Sequence, residues 1–160
     1  MVDGPSTIDG VELWARIFLP HGLSLRTTLA YAFGEGPNPQ ARPQDSSLPY
    51  EERVPLSRIP PFNGTVEARW DIESLFYIGA ALRWAILQDR LAPTDRSDAR
   101  IPDGGTPGYG VVDLRAGVRV GRQLVLSLVS ENLFDAAYRV HGSSINGPGC
   151  GLLFAAEAGL

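Results

Sequence analysis

"FNGTVEARWDI", residues 62–72, sorts its side chains by parity. Phe62, Gly64, Val66, Ala68, Trp70 and Ile72 occupy the even positions; Asn63, Thr65, Glu67, Arg69 and Asp71 occupy the odd ones. A helix would scatter these charges around its circumference, whereas a strand sends alternate side chains to opposite faces. The stretch therefore predicts a strand with one apolar face and one charged face.

The same sorting recurs on both sides of it. In "LSLRTTLAYAF" (23–33) Leu23, Leu25, Leu29, Tyr31 and Phe33 share one parity, and Ser24, Arg26 and Thr28 take the other. In "LFYIGAALRWAI" (75–86) Phe76, Ile78, Leu82 and Trp84 oppose Tyr77, Gly79 and Arg83. In "YGVVDLRAGVRV" (109–120) Val112, Leu114 and Val118 oppose Asp113, Arg115 and Arg119. "QLVLSLVSENLF" (123–134) sets Leu124, Leu126 and Leu128 against Ser127 and Glu131. "VELWARIFL" (11–19) and "GLLFAAEAGL" (151–160) alternate more weakly, with Trp14 and Phe18 on the polar parity of the first. All 13 prolines lie outside these runs, as a hydrogen-bonded ladder requires. The fold class expected is all-β: an antiparallel meander of about seven long strands.

The connections alternate in length. Residues 20–22, 73–74 and 121–122 form short turns; residues 35–61, 87–108 and 135–150 form long polar loops dense in Gly and Pro. A half-buried sheet in water and a membrane-spanning wall both satisfy this parity, because alternation does not say which face is inside. Strand length, the segregation of short turns from long loops, and aromatics near both ends of the apolar parity favour the wall of a transmembrane β-barrel. Trp14 has no place in that scheme.

Composition excludes several function classes. The net charge is −4, every one of the 14 basic residues is Arg, and no basic stripe suited to nucleic acid occurs. Cys150 is the single cysteine, so no internal disulfide forms; with only His21 and His141 beside it, a zinc cluster is not expected. No apolar run is long enough for a membrane helix, and "MVDGPSTIDG" lacks the layout of a signal peptide. No HExxH, GxSxG or P-loop occurs, so neither a catalytic site nor a cofactor is expected.

The longer phrases carry a family resemblance. "ENLFDAAYRVHGSSINGPG" (131–149) resembles the penultimate strand and last loop of a TonB-dependent outer-membrane receptor. "PLSRIPPFNGTVEARW" (55–70), "QDRLAPTDRSDARIPDGGTPGYGVVDLRAG" (88–117) and "IDGVELWARIFLPHGLSLRTTLAYAFGEG" (8–36) are similar to other parts of the same barrel. The resemblance implies a partial transmembrane β-barrel in the outer membrane of a Gram-negative bacterium. It implies an importer of ferric siderophores, cobalamin or a similar nutrient. On it, residues 1–160 are the C-terminal segment of a barrel that in full has 22 strands and encloses a plug domain. The expected partners are outer-membrane lipid, the remaining strands, the plug, and TonB through an N-terminal box outside this chain; nucleic acid is not among them. Seven strands are odd in number, so the two edges should stay unpaired. Cys150 stands where an Arg often follows "PG", and Leu160 stands where an aromatic is usual. A complete small soluble β-barrel or β-sandwich binding protein is the alternative.

The site residues divide in two. Glu67, Arg69, Arg83, Asp113, Arg115 and Glu131 are expected to line a wet lumen and cross-pair between strands. In the loops, Asp95, Asp98, Arg100, His141 and Asn146 are candidates for ligand contact; Asp95, Asp98 and Asp103 form an acidic cluster expected to be solvated, and His141 is expected to be exposed.

Overall fold

The computed structural model describes residues 4–159; the expectation attached to Leu160 lies outside the described residues. Eight strands form one antiparallel sheet: β1 (Thr7–Phe18), β2 (Leu23–Pro37), β3 (Arg53–Pro55), β4 (Asn63–Ile72), β5 (Phe76–Ala85), β6 (Tyr109–Val120), β7 (Leu124–Glu131) and β8 (Gly151–Ala158). Their order is β1-β2-β4-β5-β6-β7-β8, with β3 paired to the far end of β2. No α-helix occurs among the described residues; Pro20–Gly22 and Asp95–Ser97 are single 3-10 turns.

The meander matches the expected seven long strands and adds β3, which alternation over three residues cannot signal. β2 runs past Phe33 so that Glu35, Gly36 and Pro37 can pair with Pro55, Val54 and Arg53. Pro37 and Pro55 therefore belong to strands, each at its last residue, where a missing N–H interrupts no ladder. β1 starts at Thr7, earlier than its apolar pattern, because it pairs with the extended end of β2. β7 stops at Glu131, short of Phe134, because Asn132 takes a left-handed backbone (φ 47). The short turns fall where expected, each one residue longer: 19–22, 73–75 and 121–123. Between the paired Ile72 and Phe76, Glu73 and Ser74 are both left-handed (φ 47 and 57), and the Leu75 N–H donates to the Ile72 carbonyl (3.0 Å), closing a tight turn.

Register assigns the faces, since directly opposed residues point the same way. Leu25, Ala68, Ala80 and Leu114 fall in one row on the apolar face. Arg26, Glu67, Ala81 and Asp113 fall in one row on the other. Exposure is inverted relative to a soluble sheet. On β4, Val66, Ala68 and Trp70 are exposed while Thr65, Glu67 and Arg69 between them are half-buried. On β5, Phe76, Ile78, Ala80 and Leu82 are exposed while Gly79, Ala81 and Ala85 are buried. Leu25, Val66, Leu82 and Leu114 keep 38%, 41%, 40% and 37% of their surface open, so nothing covers them. Leaving such side chains in water forgoes about 1.5–3 kcal/mol each. The solvent that suits this face is hydrocarbon, and the polar face is the inner one.

The buried residues lie on that inner face at the long-loop end. Val111, Ala81, Ala85 and Asp113 sit beneath Tyr138 and Asn132 of the last loop. Val54, Leu91, Ala92 and Ile101 are buried among the loops. On the outer face, Tyr31, Phe62 and Trp84 stack edge to face near the long-loop end. Trp70 sits at the short-turn end and donates its indole N–H to the His21 carbonyl (2.9 Å). Aromatics therefore mark both margins of the apolar band. Trp14, opposite Thr28, and Phe18, opposite Ser24, are on the inner face of the edge strand β1. Among the described residues the outer edges of β1 and β8 are unpaired, and the sheet is open.

Candidate functional site

The six residues expected to line a lumen share the inner face. Arg83 grips Asp113 with two hydrogen bonds, Nε to Oδ2 at 2.9 Å and the second guanidinium arm to Oδ1 at 3.1 Å. Arg69 holds Asp71 in the same forked way, both bonds 2.9 Å. Arg115 reaches Glu67 at 3.6 Å although β5 lies between their strands. That reach is possible because β5 places Gly79 and Ala81 there, and neither fills the space above the sheet. Arg119 approaches Asp71 at 3.5 Å. Glu131, half-buried, makes no ion pair among the described residues. Forked guanidinium–carboxylate pairs fix geometry more firmly than single contacts, so the inner wall is a stiff, charged surface.

At its long-loop end the wall carries the last loop. The Asn132 side chain, 1% exposed, donates to the carbonyls of Ala136 and Pro148 and accepts the Ala136 N–H, all at 2.9 Å. Its own backbone N–H donates to Asp113 Oδ1 (3.0 Å). Asp135, also left-handed (φ 51), accepts the Cys150 N–H through its side chain (2.9 Å). Residues 132–150 are thus tied back on themselves and onto the wall. Tyr138 then packs against Tyr109, ring centroids 5.0 Å apart, with the Arg83 guanidinium 6.0 Å from its ring. Sequence pattern singles out "NLFD" as part of a familiar phrase but gives these residues no role of their own. A signal for that role exists: Asn and Asp adopt left-handed backbone and bond neighbouring main chain more readily than other side chains.

The loop candidates fall in separate places. Asp95 is 2% exposed and not solvated as expected. Its carboxylate accepts the Ser57 hydroxyl and the Arg58 N–H (3.1 Å), stapling residues 86–108 to the loop that precedes β4. Asp98 is held by Arg100 (2.9 and 2.6 Å) and faces Arg58 (3.5 Å). Asp95, Asp98 and Arg100 are therefore brought together by Arg58, while Asp103 stays exposed. His141 is half-buried rather than exposed, its Nδ1 2.9 Å from the Thr106 hydroxyl. Burial holds its imidazole below the ordinary 6.5, against the opposing pull of Asp95. With Thr106, Pro61 and Tyr109 it lines a cleft of about 140 Å³. Asn146 is exposed and accepts Arg139 Nε (2.9 Å) within its own loop. No group of three His, Cys, Asp or Glu able to hold a metal occurs among the described residues. Cys150 is free and exposed, one residue before β8.

At the short-turn end the inner wall hollows into a basin of about 390 Å³, bounded by Arg16, Arg26, Arg69, Arg119, Glu67 and Asp71. A charged inner wall, an apolar outer face, loops folded over one end and a basin at the other can carry a polar solute or a polypeptide inside.

Comparison with known proteins agrees with this geometry. The family model described as "TonB dependent receptor-like, beta-barrel" matches residues 2–133. Among solved structures, one titled "Copper transporter OprC" superposes with a TM-score of 0.75 at 25% identity, over 96% of this chain. The chain spans 23% of the length of that transporter. No curated protein matches.

Proposed function

The chain belongs to the TonB-dependent receptor-like β-barrel family, and from that premise we propose that it is the C-terminal part of the wall of an outer-membrane importer. Barrels of this family lie in the outer membrane of Gram-negative bacteria and transport rather than catalyse. The observation that carries the proposal is the inverted exposure of β4 and β5, with apolar side chains open and charged ones enclosed. Among the described residues both sheet edges are open and β1 and β8, the first and seventh of the seven strands along the sheet, run the same way. Lipid cannot satisfy those edges, so an odd number of further antiparallel strands must close the barrel. Those strands, a plug inside them, and TonB acting through a segment outside this chain are the partners proposed.

The cargo proposed is a scarce metal or its complex. Ferric siderophores and cobalamin follow from the resemblance, and the solved relative is by its title a copper transporter. Residues 132–150, with His141 and Asn146, and residues 86–108, with Asp95, Asp98 and Arg100, are the parts proposed to meet cargo. Asp95 and Asp98 would act there by shaping the loops, since Arg and Ser already occupy them. The inner-face residues Glu67, Arg69, Arg83, Asp113, Arg115 and Glu131 are proposed to face the lumen.

Cells carrying the gene and cells deleted for it are compared for uptake of labelled ferric siderophore, cobalamin and copper at limiting concentration. Loss of one uptake in the deletion names the cargo. Unchanged uptake of all three, with the chain present in the outer-membrane fraction, rejects the metal cargo. Recovery of the chain as a soluble monomer rejects the membrane wall itself.

A further inference from the structure

The last loop closes on itself before it meets anything else. The Gly147 N–H donates to the Tyr138 carbonyl (2.8 Å), and Arg139 Nε donates to Asn146 Oδ1 (2.9 Å), so residues 139–146 form a tip with a tied neck. Within the tip, the Ser143 N–H donates to the Val140 carbonyl and the Ser143 hydroxyl to that of Ile145, both at 2.9 Å. Among the described residues a single hydrogen bond joins this tip to another part of the chain. It is the 2.9 Å contact between His141 Nδ1 and the Thr106 hydroxyl.

Thr106 is the better anchored partner. It exchanges two backbone hydrogen bonds with Gln88, each 3.0 Å, and the Gln88 side chain donates to the Ile59 carbonyl (2.6 Å). The tip therefore docks, through one side chain, on two loops that are already joined. The cleft of about 140 Å³ lies at that junction, lined by Pro60, Pro61 and Thr106 of the joined loops and by Val140 and His141 of the tip.

The hydrogen on the ring is placed by its partner. Thr106 is 2% exposed, and its hydroxyl has no other hydrogen-bond partner among the described residues. A buried O–H is satisfied here only if it donates to Nδ1, so the neutral ring carries its hydrogen on Nε2. Proton uptake puts a hydrogen on Nδ1 as well. The hydroxyl must then turn its own hydrogen toward no acceptor, which is costly for a buried donor. The groups around the ring do little to offset this. The Asp95 carboxylate favours a charged His141, but the Ser57 hydroxyl and the Arg58 N–H already occupy it. Arg139 lines the cleft, and the Arg58 side chain, faced by Asp98, lies against Gly142; both cations oppose an imidazolium. Tyr109, also in the lining, is a phenol and does not titrate near neutrality. Burial accordingly holds the imidazole below 6.5.

We propose that His141 is a proton-operated latch: the neutral ring holds the tip of the last loop against the cleft, and proton uptake at Nδ1 releases the tip and opens the cleft. The neck tied at Tyr138 and Gly147, and the Asn132 anchorage below it, stay closed, so the motion is confined to residues 139–146. The latch rests on the reading of residues 132–150 and 86–108 as outward loops of an importer that meet its cargo.

The test needs a complete receptor that contains this wall, in lipid nanodiscs, with Cys150→Ser to remove the native thiol of this segment. Spin labels are attached at Ser144→Cys in the tip and Arg96→Cys in the 86–108 loop, both exposed positions. Pulsed EPR reads their separation from about pH 7.5 to about pH 5, the range in which histidine titrates. One short distance is expected at the upper end, with a longer one growing in as pH falls, its midpoint below 6.5. His141→Gln takes up no proton and should keep one population throughout. Thr106→Val removes the hydroxyl at nearly constant volume. It should raise the long-distance population at neutral pH about tenfold, the worth of one lost hydrogen bond. A separation unmoved by pH, or one that moves equally in His141→Gln, overturns the latch. So does a Thr106→Val receptor indistinguishable from its parent at neutral pH.

Surface labelling keeps failure of the latch distinct from failure of the reading beneath it. In whole cells the thiol of Ser144→Cys should react with a maleimide too bulky to cross the outer membrane. No reaction rejects the outward loops, whatever the separation does. Reaction, with a separation blind to pH, rejects the latch alone.

Discussion

Arg83 and Asp113 stand on adjacent strands, joined by two hydrogen bonds of 2.9 and 3.1 Å, and the same carboxylate accepts the backbone N–H of Asn132. One aspartate thus ties the inner wall to the start of the last loop. Asp113 is 3% exposed, while the Arg83 side chain keeps 38% of its surface open. Removing the acid leaves a partly hydrated cation, so the cost should be moderate.

Asp113→Ala should destabilise the loop by about 1–3 kcal/mol, through a lost charged hydrogen bond and an unpaired buried N–H. Hydrogen exchange should speed up at Asn132 and Ala136 while the amides of β4 stay protected. Asp113→Asn keeps an acceptor and should fall between. Uniform acceleration across the sheet would show that the link is not local.

Asn132 combines a left-handed backbone with three side-chain hydrogen bonds. Asn132→Gly keeps the backbone freedom and loses the bonds; Asn132→Ala loses both. The expected order of loop protection against proteolysis at residues 136–149 is Asn, then Gly, then Ala, with about 1 kcal/mol between the last two. Equal protection of the two variants would remove the backbone from the explanation.

Gly147 lies against the face of Tyr138, where an added Cβ would come within 2.1 Å of the ring. Gly147→Ala should therefore push Tyr138 from its place beside Tyr109 and Arg83. The ring cannot yield without giving up buried area, so a loss of about 1–3 kcal/mol is expected. Gly104 has open space for a Cβ, with nothing within 4 Å, but a φ of +80. Gly104→Ala should therefore show only backbone strain. Thermal unfolding of both variants checks the difference.

His141 gives a pH dependence. Its imidazole is held below 6.5 by burial, so the folded loop prefers the neutral ring. A depressed histidine contributes stability that is present above the ordinary value of 6.5 and is lost as pH falls through its lower folded value. Exchange of the Thr106 amide, whose side chain touches His141, should accelerate on acidification in that window. His141→Gln should flatten the dependence; an unchanged profile would assign it to another group.

Leu82 tests the solvent of the outer face. It is 40% exposed in mid-strand, so in water Leu82→Arg should be nearly neutral. Facing a bilayer it should cost about 2–4 kcal/mol near the midplane. Insertion into vesicles of a complete receptor that contains this wall, measured against denaturant, separates the two outcomes, and a cost near zero would sink the membrane assignment.

Much of this architecture was legible because strand parity is a local property. Residues 62–72 announce their two faces without help from any other segment, and the short turns and long loops follow from where the alternation breaks. β3 was not legible: three residues have no period, and Arg53–Pro55 is a strand only because β2 is there to pair with it. Asp95 was expected in solvent because an Asp in a polar loop usually is; Ser57 and Arg58, nearly forty positions away, bury it.

Residue order alone determined which side chains share a face and that the chain is a meander of long strands, because period-two geometry needs only neighbours along the chain. Which face is open to the surroundings, how Asp113 and Asn132 hold the last loop inward, and how Ser57 and Arg58 bury Asp95 were decided by tertiary structure. Those facts depend on register between strands and on loops closing across distance, and each is settled by packing that no single segment contains.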